Sequence, residues 1–372
     1  MSRQKVVYIV SDVEKSLGLE WVADRLPETF DQVYILIGKE KTPFGDHLLQ
    51  RGIRCFFLPD EQYSSYFSKW IKIYSILKSE RPDVVHVHLW RAMLLGLSAA
   101  WFLGVKKRIF TRHHATIHYE QYPSGRKWDV LCNAMATHII AISKNIRDIL
   151  VERDKAKESK VILLYHGFDF NYFRAVSQQR IDALRVKYSI PHSGSPVVGV
   201  ISRYTEWKGV QYIIPAFKEL RKQYPKAHLV LANASGDYAD TIKGLLAELP
   251  RESFTEIRFE EDLAALYHVF DIFVHVPVNP QAEAFGQIYI ESLIAGVPSV
   301  VTLSGVAAEF INSGNAFIVD FKDSEAIRNG IITLATNDNI RCDMIEEGKK
   351  SIGIFSIEEH IAKLSTLYRT PN

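Results

Sequence analysis

Short β-rich runs alternate with helical patterns along the 372-residue chain, and this alternation constrains the fold more than any other feature. Strands that alternate with helices form parallel sheets covered by crossover helices, because a parallel pair needs a long connection. The first half has predicted strands at Lys5–Val10, Gln32–Ile37, Arg54–Leu58, Val84–His88, Arg108–Thr111, His138–Ile142 and Val161–Leu164. Its predicted helices are Leu19–Leu26, Phe44–Arg51, Ser65–Ser79, Ala92–Leu103 and Asn145–Glu152. This half is therefore predicted to be one doubly wound domain.

The series restarts after the polar segment 178–195, which is predicted to be a linker. The second set of predicted strands is Val197–Ile201, His228–Ala232, Ile257–Phe259, Ile272–Val276, Ser299–Thr302 and Ala316–Val319, with helices at Val210–Gln223, Tyr238–Ala247, Leu263–Val269 and Gln287–Ala295. The sequence thus predicts two doubly wound, Rossmann-like parallel-sheet α/β domains, 1–177 and 196–356, facing each other across a cleft. A last amphipathic pattern at 357–369 is expected to dock back on the first domain. Ligands are expected at the carboxyl ends of the strands, in the cleft.

Three cysteines, Cys55, Cys132 and Cys342, lie far apart without C-x-x-C spacing, so neither a disulfide framework nor a zinc site is predicted. A reducing cytosol fits best, and the N-terminal residues show no secretion signal. The apolar stretch Ala92–Val105 is shorter than the roughly 20 residues that a membrane span needs, so a buried crossover helix is predicted there.

Charge is unevenly distributed along the chain. Residues 1–170 carry 25 Lys and Arg against 19 Asp and Glu, a net charge of +6, whereas residues 171–372 have a net charge of −4. Much of the excess lies in a basic stretch, Lys106–Lys127, which is interleaved with aromatic residues. Such a stretch fits anionic lipid head groups or a phosphorylated acceptor, and equally a solvated loop face. No motif of a nucleic-acid-binding fold is present, so nucleic acid is not expected as a partner.

The known phosphate-binding motifs are absent from the chain. Neither G-x-x-x-x-G-K-[ST] nor G-x-G-x-x-G occurs, and no D-x-D is present to hold a divalent ion on a diphosphate. In VGVISRYTEWKG, Arg203 and Lys208 instead follow a predicted strand and precede a predicted helix. Two cations at that position form a metal-free anion site, although Arg and Lys five residues apart are also common in ordinary loops.

A second candidate is EAFGQIYIE, Glu283–Glu291. Gly286 opens a predicted helix whose first N–H groups point toward the expected cleft. Glu283 and Glu291 are separated by about 80° of helical rotation, so they are predicted to hold hydroxyls at two ends of one ligand. Two surface acids on a solvated helix are the alternative.

Together these segments resemble the donor domain of retaining glycosyltransferases of family GT4, which have the GT-B fold. The resemblance rests on Arg203 and Lys208, on EAFGQIYIE, and on the segments SLIAGVPSVV, SGVAAE and SGNAFIV. In the first half, Gly18-Leu19-Glu20 resembles the end of the family's first loop, and PDVVHVH, TRHH, AIS and YHGFDFNYF resemble later family segments in the same order. Departures are SDVEKSLGLE in place of a double glycine, Asn233 in place of a glycine-rich turn, His166 for Asn and Val306 for glycine.

The resemblance implies a role for each matching residue. Arg203 and Lys208 would bind the donor diphosphate, Glu283 the sugar hydroxyls and Glu291 the ribose. The backbone of Phe285, Gly286, Gln287 and Ile288 would hold the sugar and distal phosphate, with Gly18 and Asn233 also near the nucleotide. His113 would project toward the anomeric carbon. His114 is the competitor, because a strand alternates its faces and only one of the two can point inward.

The implied function is transfer of a sugar from a nucleoside diphosphate sugar, UDP-sugar by default, to an acceptor hydroxyl with retention of configuration. The first domain would bind a glycan or lipid-linked acceptor and the second the donor, with no metal and no cofactor besides the donor. The expected location is cytoplasmic, with peripheral attachment to an anionic membrane surface. Two alternatives remain: a non-hydrolysing sugar-nucleotide epimerase, and a catalytically silent sugar-nucleotide-binding partner subunit.

Overall fold

The computed structural model describes residues 3–120, 122–191 and 196–371, except for the side chains of Ile117 and Glu120. The chain divides into two compact units. Unit 1 contains the chain up to Phe168 together with the chain from Phe355 onward, and unit 2 is Asp169–Ile354. The boundary therefore lies before the predicted one at residue 177.

Unit 1 is built on a parallel sheet of seven strands in the order β3-β2-β1-β4-β5-β6-β7. The strands are β1 Gln4–Ser11, β2 Phe30–Gly38, β3 Arg54–Pro59, β4 Val84–His88, β5 Lys107–Arg112, β6 His138–Ala141 and β7 Val161–Leu163. The helices are α1 Leu17–Arg25, α2 Pro43–Gln50, α3 Tyr66–Glu80, α4 Trp90–Phe102, α5 Ile117–Glu120, α6 Arg126–Met135 and α7 Lys144–Asp148. The order reverses between β1 and β4, which is the switch point where such sheets bind ligands.

Unit 2 repeats this plan with six parallel strands in the order β10-β9-β8-β11-β12-β13. The strands are β8 Val197–Ile201, β9 His228–Ala232, β10 Phe254–Ile257, β11 Ile272–His275, β12 Ser299–Val301 and β13 Phe317–Ile318. The helices are α8 Phe170–Arg174, α9 Gln178–Tyr188, α10 Val210–Gln223, α11 Ala239–Leu246, α12 Leu263–Tyr267, α13 Gln287–Ala295, α14 Ala307–Phe310, α15 Ser324–Thr336 and α16 Asp338–Ser351. Its switch point lies between β8 and β11.

The predicted linker is wrong over its helical part. Residues Gln178–Tyr188 form α9, which belongs to unit 2. Leu184 is the buried residue of this helix, so its apolar periodicity is weak. Polar contacts hold it instead, because Arg180 Nη2 lies 2.5 Å from Asp262 Oδ1 and Lys187 Nζ donates to Glu260 Oε2 at 2.7 Å. A helix fixed by ion pairs gives no apolar stripe that a sequence pattern would show.

The predicted strand Ile257–Phe259 is also wrong, since β10 ends at Ile257. Phe254 and Ile257 are buried, whereas Phe259 is exposed beyond the strand. β10 is the edge strand of its sheet, whereas the central strands β8, β9 and β11 are buried apolar runs, which is the pattern of parallel strands covered by helices on both faces.

The last helix, α17 (Ile357–Arg369), belongs to unit 1 and lies against its sheet. The Tyr368 hydroxyl lies 2.6 Å from His86 Nδ1 on β4 and donates to the Tyr8 hydroxyl on β1 at 2.9 Å. The buried ammonium of Lys107 donates to the Leu367 carbonyl at 2.7 Å. One lysine of the predicted basic stretch is therefore used internally.

The apolar stretch at Ala92 lies in α4, where Ala92, Met93, Leu95 and Leu97 are buried in unit 1. Among the described residues, no helix combines the length and apolar character that a bilayer crossing requires.

Candidate active site

The predicted donor residues gather at the switch point of unit 2. Arg203 and Lys208 follow β8, and Glu283 follows β11, its neighbour in the sheet. Because β8 continues toward β9 and β11 toward β12, the loops after these two strands leave on opposite sides and open a crevice between them.

Glycine at position 209 lets the loop after β8 approach β11. Gly209 has φ of +77°, and a Cβ placed there would lie 1.9 Å from the Val276 carbonyl oxygen. The contact is extended by the Val278 N–H, which donates to the Trp207 carbonyl at 3.0 Å. This close approach brings Lys208 beside the segment that carries Glu283.

Lys208, Glu283 and His275 form a buried charged cluster. Lys208 Nζ donates to Glu283 Oε1 at 2.5 Å, and His275 Nε2 lies 3.0 Å from the same oxygen. Burial alone would raise the pKa of Glu283, but Lys208 and His275 together lower it to about 2. The carboxylate is therefore ionised at neutral pH. His275 was not predicted as a site residue, although its place at the end of a strand in FVHVP was a usable signal.

The two predicted cations have different environments. The Arg203 side chain is exposed and has no hydrogen bond or ion pair to any described residue. Lys208, in contrast, is already paired with Glu283, a residue expected to contact a different part of the donor. Asn233, just after β9, has φ of +61°, a left-handed conformation that Asn tolerates better than most residues. This explains why Asn can stand where the family has a glycine-rich turn.

The segment 304–306 holds the backbone around Glu283 in place through hydrogen bonds. The Glu283 N–H donates to Ser304 Oγ at 3.1 Å, and the Val306 N–H donates to the Phe285 carbonyl at 2.9 Å. A Cβ on Gly305 would lie 2.7 Å from both Glu283 Cβ and Phe285 O, so glycine is required there. Val306 has φ of −69° and is buried, which is why this position needs no second glycine.

Helix α13 begins at the same edge of the sheet. Its N-cap, Gly286, is in the left-handed region and supplies no side-chain cap, so N–H groups of the first turn have no side-chain acceptor there. Phe285 is buried, Ile288 half-buried and Gln287 exposed. Such a helix start suits an anionic group.

Glu291 lies within α13 in a different environment from Glu283. Tyr267 donates its hydroxyl hydrogen to Glu291 Oε2 at 2.8 Å. Burial raises the pKa of Glu291 to about 7, and the tyrosine only partly opposes this. Both glutamates are buried rather than solvated, so the alternative of two surface acids is wrong.

In unit 1, His113 lies just past the end of β5. Its Nε2 is 3.1 Å from His88 Nδ1 at the end of β4, and its ring stacks on His166 with 5.5 Å between centroids. Burial, with His88 and His114 nearby, lowers the pKa of His113 to about 3. This imidazole is therefore neutral at physiological pH. His88, within PDVVHVH, is a contact that the sequence did not assign.

His114 occupies a separate cluster. Its Nε2 is 3.6 Å from Asp129 Oδ2, and its ring lies 4.5 Å from that of His118. Because β5 ends at Arg112, neither histidine is part of the strand, and strand alternation does not decide their directions. His113 and His114 are therefore adjacent in sequence but contact different sets of side chains.

The first loop carries an ion-pair network that the sequence did not predict. Asp12, with φ of +57°, directly follows β1, and its Oδ1 accepts from Arg91 at 2.9 Å. Arg91 also donates to both oxygens of Asp60, at 2.6 and 3.1 Å. Gly18, expected in this loop, is instead the second residue of α1.

Two family descriptions match the chain in succession. Residues 22–172 match "Glycosyltransferase Family 4", and residues 183–351 match "Glycosyl transferases group 1". The first match lies almost entirely in unit 1 and the second lies in unit 2.

Two curated relatives are similar over most of their length. The capsular polysaccharide biosynthesis glycosyltransferase CapM of Staphylococcus aureus is 25% identical, over 100% of this chain and 98% of the relative. The UDP-Gal:alpha-D-GlcNAc-diphosphoundecaprenol alpha-1,3-galactosyltransferase of Escherichia coli is 22% identical, over 90% of this chain and 88% of the relative.

Among solved structures, Anabaena HepE in complex with UDP and glucose has a similar fold. The TM-score is 0.82 at 18% identity, and the superposition covers 98% of each chain.

Proposed function

The chain is a glycosyltransferase of family GT4 with the GT-B fold, and we propose that it moves a sugar from a UDP-sugar to an acceptor hydroxyl with retention of anomeric configuration. The acceptor is a glycan or a lipid-linked sugar, and the product enters cell-surface glycan or glycolipid synthesis. The observation that carries the proposal is the buried Lys208–Glu283–His275 cluster at the switch point of unit 2.

In the proposed reaction, the bond between the anomeric carbon and the diphosphate oxygen breaks, and the acceptor oxygen bonds to that carbon on the same face. The acceptor proton passes to the leaving phosphate oxygen, so no protein nucleophile is needed. Positive charge develops on the sugar ring as the diphosphate leaves. Glu283, which is ionised and held in place by Lys208 and His275, stabilises this charge electrostatically.

Arg203 supplies the positive charge for the diphosphate. Its guanidinium is exposed and has no partner among the described residues, so it can bind phosphate without first breaking an ion pair. The start of α13 offers backbone N–H groups to the same anion. Together they take the part of a divalent ion at the donor phosphates. The names of the E. coli relative and of the HepE complex favour uracil as the base of the donor nucleotide.

Calorimetric titration of UDP in EDTA tests this donor site. Arg203→Ala and Lys208→Ala should each weaken UDP binding roughly ten- to a hundredfold, since a hydrogen bond to a charged group contributes about 1.5–3 kcal/mol. Lys218→Ala is the control. Lys218 is a surface lysine on α10, and it pairs with Glu248 in the loop after α11. An unchanged affinity in Arg203→Ala, or UDP binding that requires Mg²⁺, would contradict the proposal.

The reaction itself is tested by incubating UDP-sugars with and without lipid-linked acceptors and determining the product's anomeric configuration by NMR. Retention with an acceptor is expected. Isomerisation of the UDP-sugar alone would indicate the epimerase, and binding without turnover the silent subunit. Thermal-shift measurements with UDP, GDP, ADP and CDP would rank the four nucleotides by how strongly each stabilises the protein.

Peripheral membrane binding is a second part of the proposal, supported by an exposed aromatic and basic surface on unit 1. Helices α4 and α6 pack against each other. Trp101 and Phe102 end α4 and are 50% and 64% exposed, and Trp128 on α6 is also exposed. Lys106, four residues after Phe102, and Lys127, next to Trp128, are exposed as well. Amphipathic rings beside cations suit the interface of an anionic bilayer.

A further inference from the structure

Five ionisable side chains lie together between the end of β5 and helix α6: Arg112, His114, His118, Asp129 and Asp154. None of them belongs to the donor site of unit 2. His118 Nδ1 lies 2.6 Å from Asp129 Oδ2, and His114 Nε2 lies 3.6 Å from the same oxygen. Arg112 Nη2 lies 3.0 Å from Asp129 Oδ2 and 3.2 Å from Asp154 Oδ2.

Four buried side-chain atoms of this cluster have no hydrogen bond. Among the described residues, the buried side-chain atoms that lack a partner include Arg112 Nη1, His114 Nε2, Asp129 Oδ1 and Asp154 Oδ2. Arg112 Nη1 and Asp129 Oδ1 are 3.0 Å apart, but their geometry is not that of a hydrogen bond. Arg112 Nη1, Asp129 Oδ1 and Asp154 Oδ2 still face oppositely charged atoms at 3.0–3.2 Å, so His114 Nε2 is the atom of this cluster without a partner at hydrogen-bond distance. Buried polar atoms nearly always have partners, so this nitrogen indicates a place for a further ligand.

The charges also call for a cation. Asp129 and Asp154 are fully buried and share one guanidinium, that of Arg112. Asp154 also accepts from the Tyr119 hydroxyl, and Asp129 contacts His118. A buried carboxylate without compensating positive charge is costly. Arg112 does not block the imidazole side of Asp129, since a carboxylate oxygen has two lone pairs and can accept from Arg112 while it binds a metal.

We propose that His114, His118 and Asp129 bind a divalent transition-metal ion of the Zn²⁺ kind. One ligand atom from each residue lies within 4.8 Å of the others, and two imidazoles with one carboxylate form a donor set suited to zinc. Ligands of a tetrahedral zinc with bonds of about 2.0–2.1 Å stand roughly 3.3 Å apart. His118 Nδ1 and Asp129 Oδ2 therefore move apart by about 0.7 Å, and water fills the fourth position.

The ion would act as a clamp outside the transfer chemistry. His114 and His118 lie on the segment that follows β5, and Asp129 lies on α6. A metal bond between them fixes this segment, whose first residue is His113, to the body of unit 1. The inference does not depend on the proposed sugar transfer.

The test is metal binding by the 372-residue chain after chelation and dialysis. It is done in a Cys342→Ser background, because Cys342 is an exposed thiol that could bind metal by itself. Zn²⁺ in competition with a chromophoric chelator should give one tight site. Co²⁺ should give visible absorption bands of the intensity typical of four-coordination. Binding should weaken as the pH falls, since the ligands must lose protons.

His114→Ala should lower Zn²⁺ affinity by at least about a hundredfold, since even residues that only support metal ligands cost 10- to 100-fold when lost. His47→Ala is the control, because His47 forms a similar pair with Asp24 outside the cluster. His118→Gln is a second variant. Normal UDP binding by each variant would show a folded donor unit and separate this test from that of the proposed function. Equal Zn²⁺ affinity in wild type and His114→Ala, or no retained Zn²⁺ at all, would overturn the proposal.

Discussion

Two buried glutamates of unit 2, Glu283 and Glu291, have different pKa values because their surroundings differ. Glu283 accepts from Lys208 and His275 and has a pKa lowered to about 2, whereas Glu291 contacts Tyr267 and has a pKa raised by burial to about 7. Environments that separate the pKa values of neighbouring acids commonly mark different roles in a site. We therefore expect the two carboxylates to respond differently to the same substitution.

Glu283→Gln should lower kcat by roughly 10²-fold and leave UDP affinity near that of wild type, because its charge matters most in the transition state. Glu291→Gln should mainly raise the donor KM, because the ribose is unchanged in the reaction. Steady-state kinetics and calorimetry with free UDP distinguish the two. The assignment fails if Glu283→Gln keeps wild-type kcat, or if it alone abolishes UDP binding.

The raised pKa of Glu291 also predicts a pH dependence of stability. The folded protein keeps a proton on Glu291 up to about pH 7, whereas the unfolded chain loses it near pH 4.5. The contribution of Glu291 to the free energy of unfolding is therefore fully present below pH 4.5, and it is lost as the pH rises through 7.

Glu291→Gln removes this decline, so the variant should gain stability over wild type at pH 8 but not at pH 4.5. The gain should not exceed about 3 kcal/mol. Urea unfolding at both pH values measures it, with the exposed Glu248→Gln as control. A gain that is equal at both pH values would contradict the raised pKa.

At the scale of elements, α17 is joined to the sheet of unit 1 by buried polar groups as well as apolar ones. Tyr368 bridges His86 on β4 and Tyr8 on β1, and His86 Nε2 lies 2.9 Å from Thr111 Oγ1 on β5. Burial lowers the pKa of His86 to about 3, so it stays neutral and can share hydrogen bonds with both hydroxyls. One phenol thus ties the end of the chain to central strands.

Tyr368→Phe should destabilise unit 1 by about 1–3 kcal/mol, because the loss of one hydroxyl leaves buried partners unsatisfied. Urea unfolding followed by tryptophan fluorescence measures the change. Tyr66→Phe is the matched control, since Tyr66 is about half exposed at the start of α3. A destabilisation of the same size in both variants would show that the buried network adds nothing.

At the scale of the whole molecule, the distribution of charge matters more than its total. The net charge is +2, but the first 170 residues hold +6. The structure also reduces the available part of the basic stretch Lys106–Lys127. Lys107 and Arg112 are buried in internal contacts, whereas Lys106, Arg126 and Lys127 are exposed.

Liposome flotation tests whether these remaining cations and the exposed rings bind membranes. Binding should rise with the fraction of anionic lipid and fall with salt, because each surface cation contributes about 1 kcal/mol and is screened. Trp101→Ala with Phe102→Ala should reduce flotation without changing UDP affinity. The control Lys218→Ala alters a lysine of unit 2. Recovery in the soluble fraction at low salt, whatever the lipid, would rule out membrane binding.

The sequence by itself determined the local elements and the class of protein. The bounds of β4, β8, β9, α10 and α13 agree with the predicted ones, because the 3.6-residue period, apolar runs and glycine stops are properties of neighbouring residues. The family resemblance likewise rests on short contiguous segments in a fixed order, such as EAFGQIYIE. Such patterns are local, so no tertiary contact is needed to recognise them.

Tertiary structure alone decided which side chains meet. Lys208 and Glu283 are 75 residues apart, and their ion pair exists because Gly209 and Gly305 let two loops approach. The same holds for the separation of His113 from His114, and for α9, whose ion pairs replace an apolar stripe. Long-range partners depend on how distant segments are packed, and a pattern of neighbouring residues carries no record of that packing.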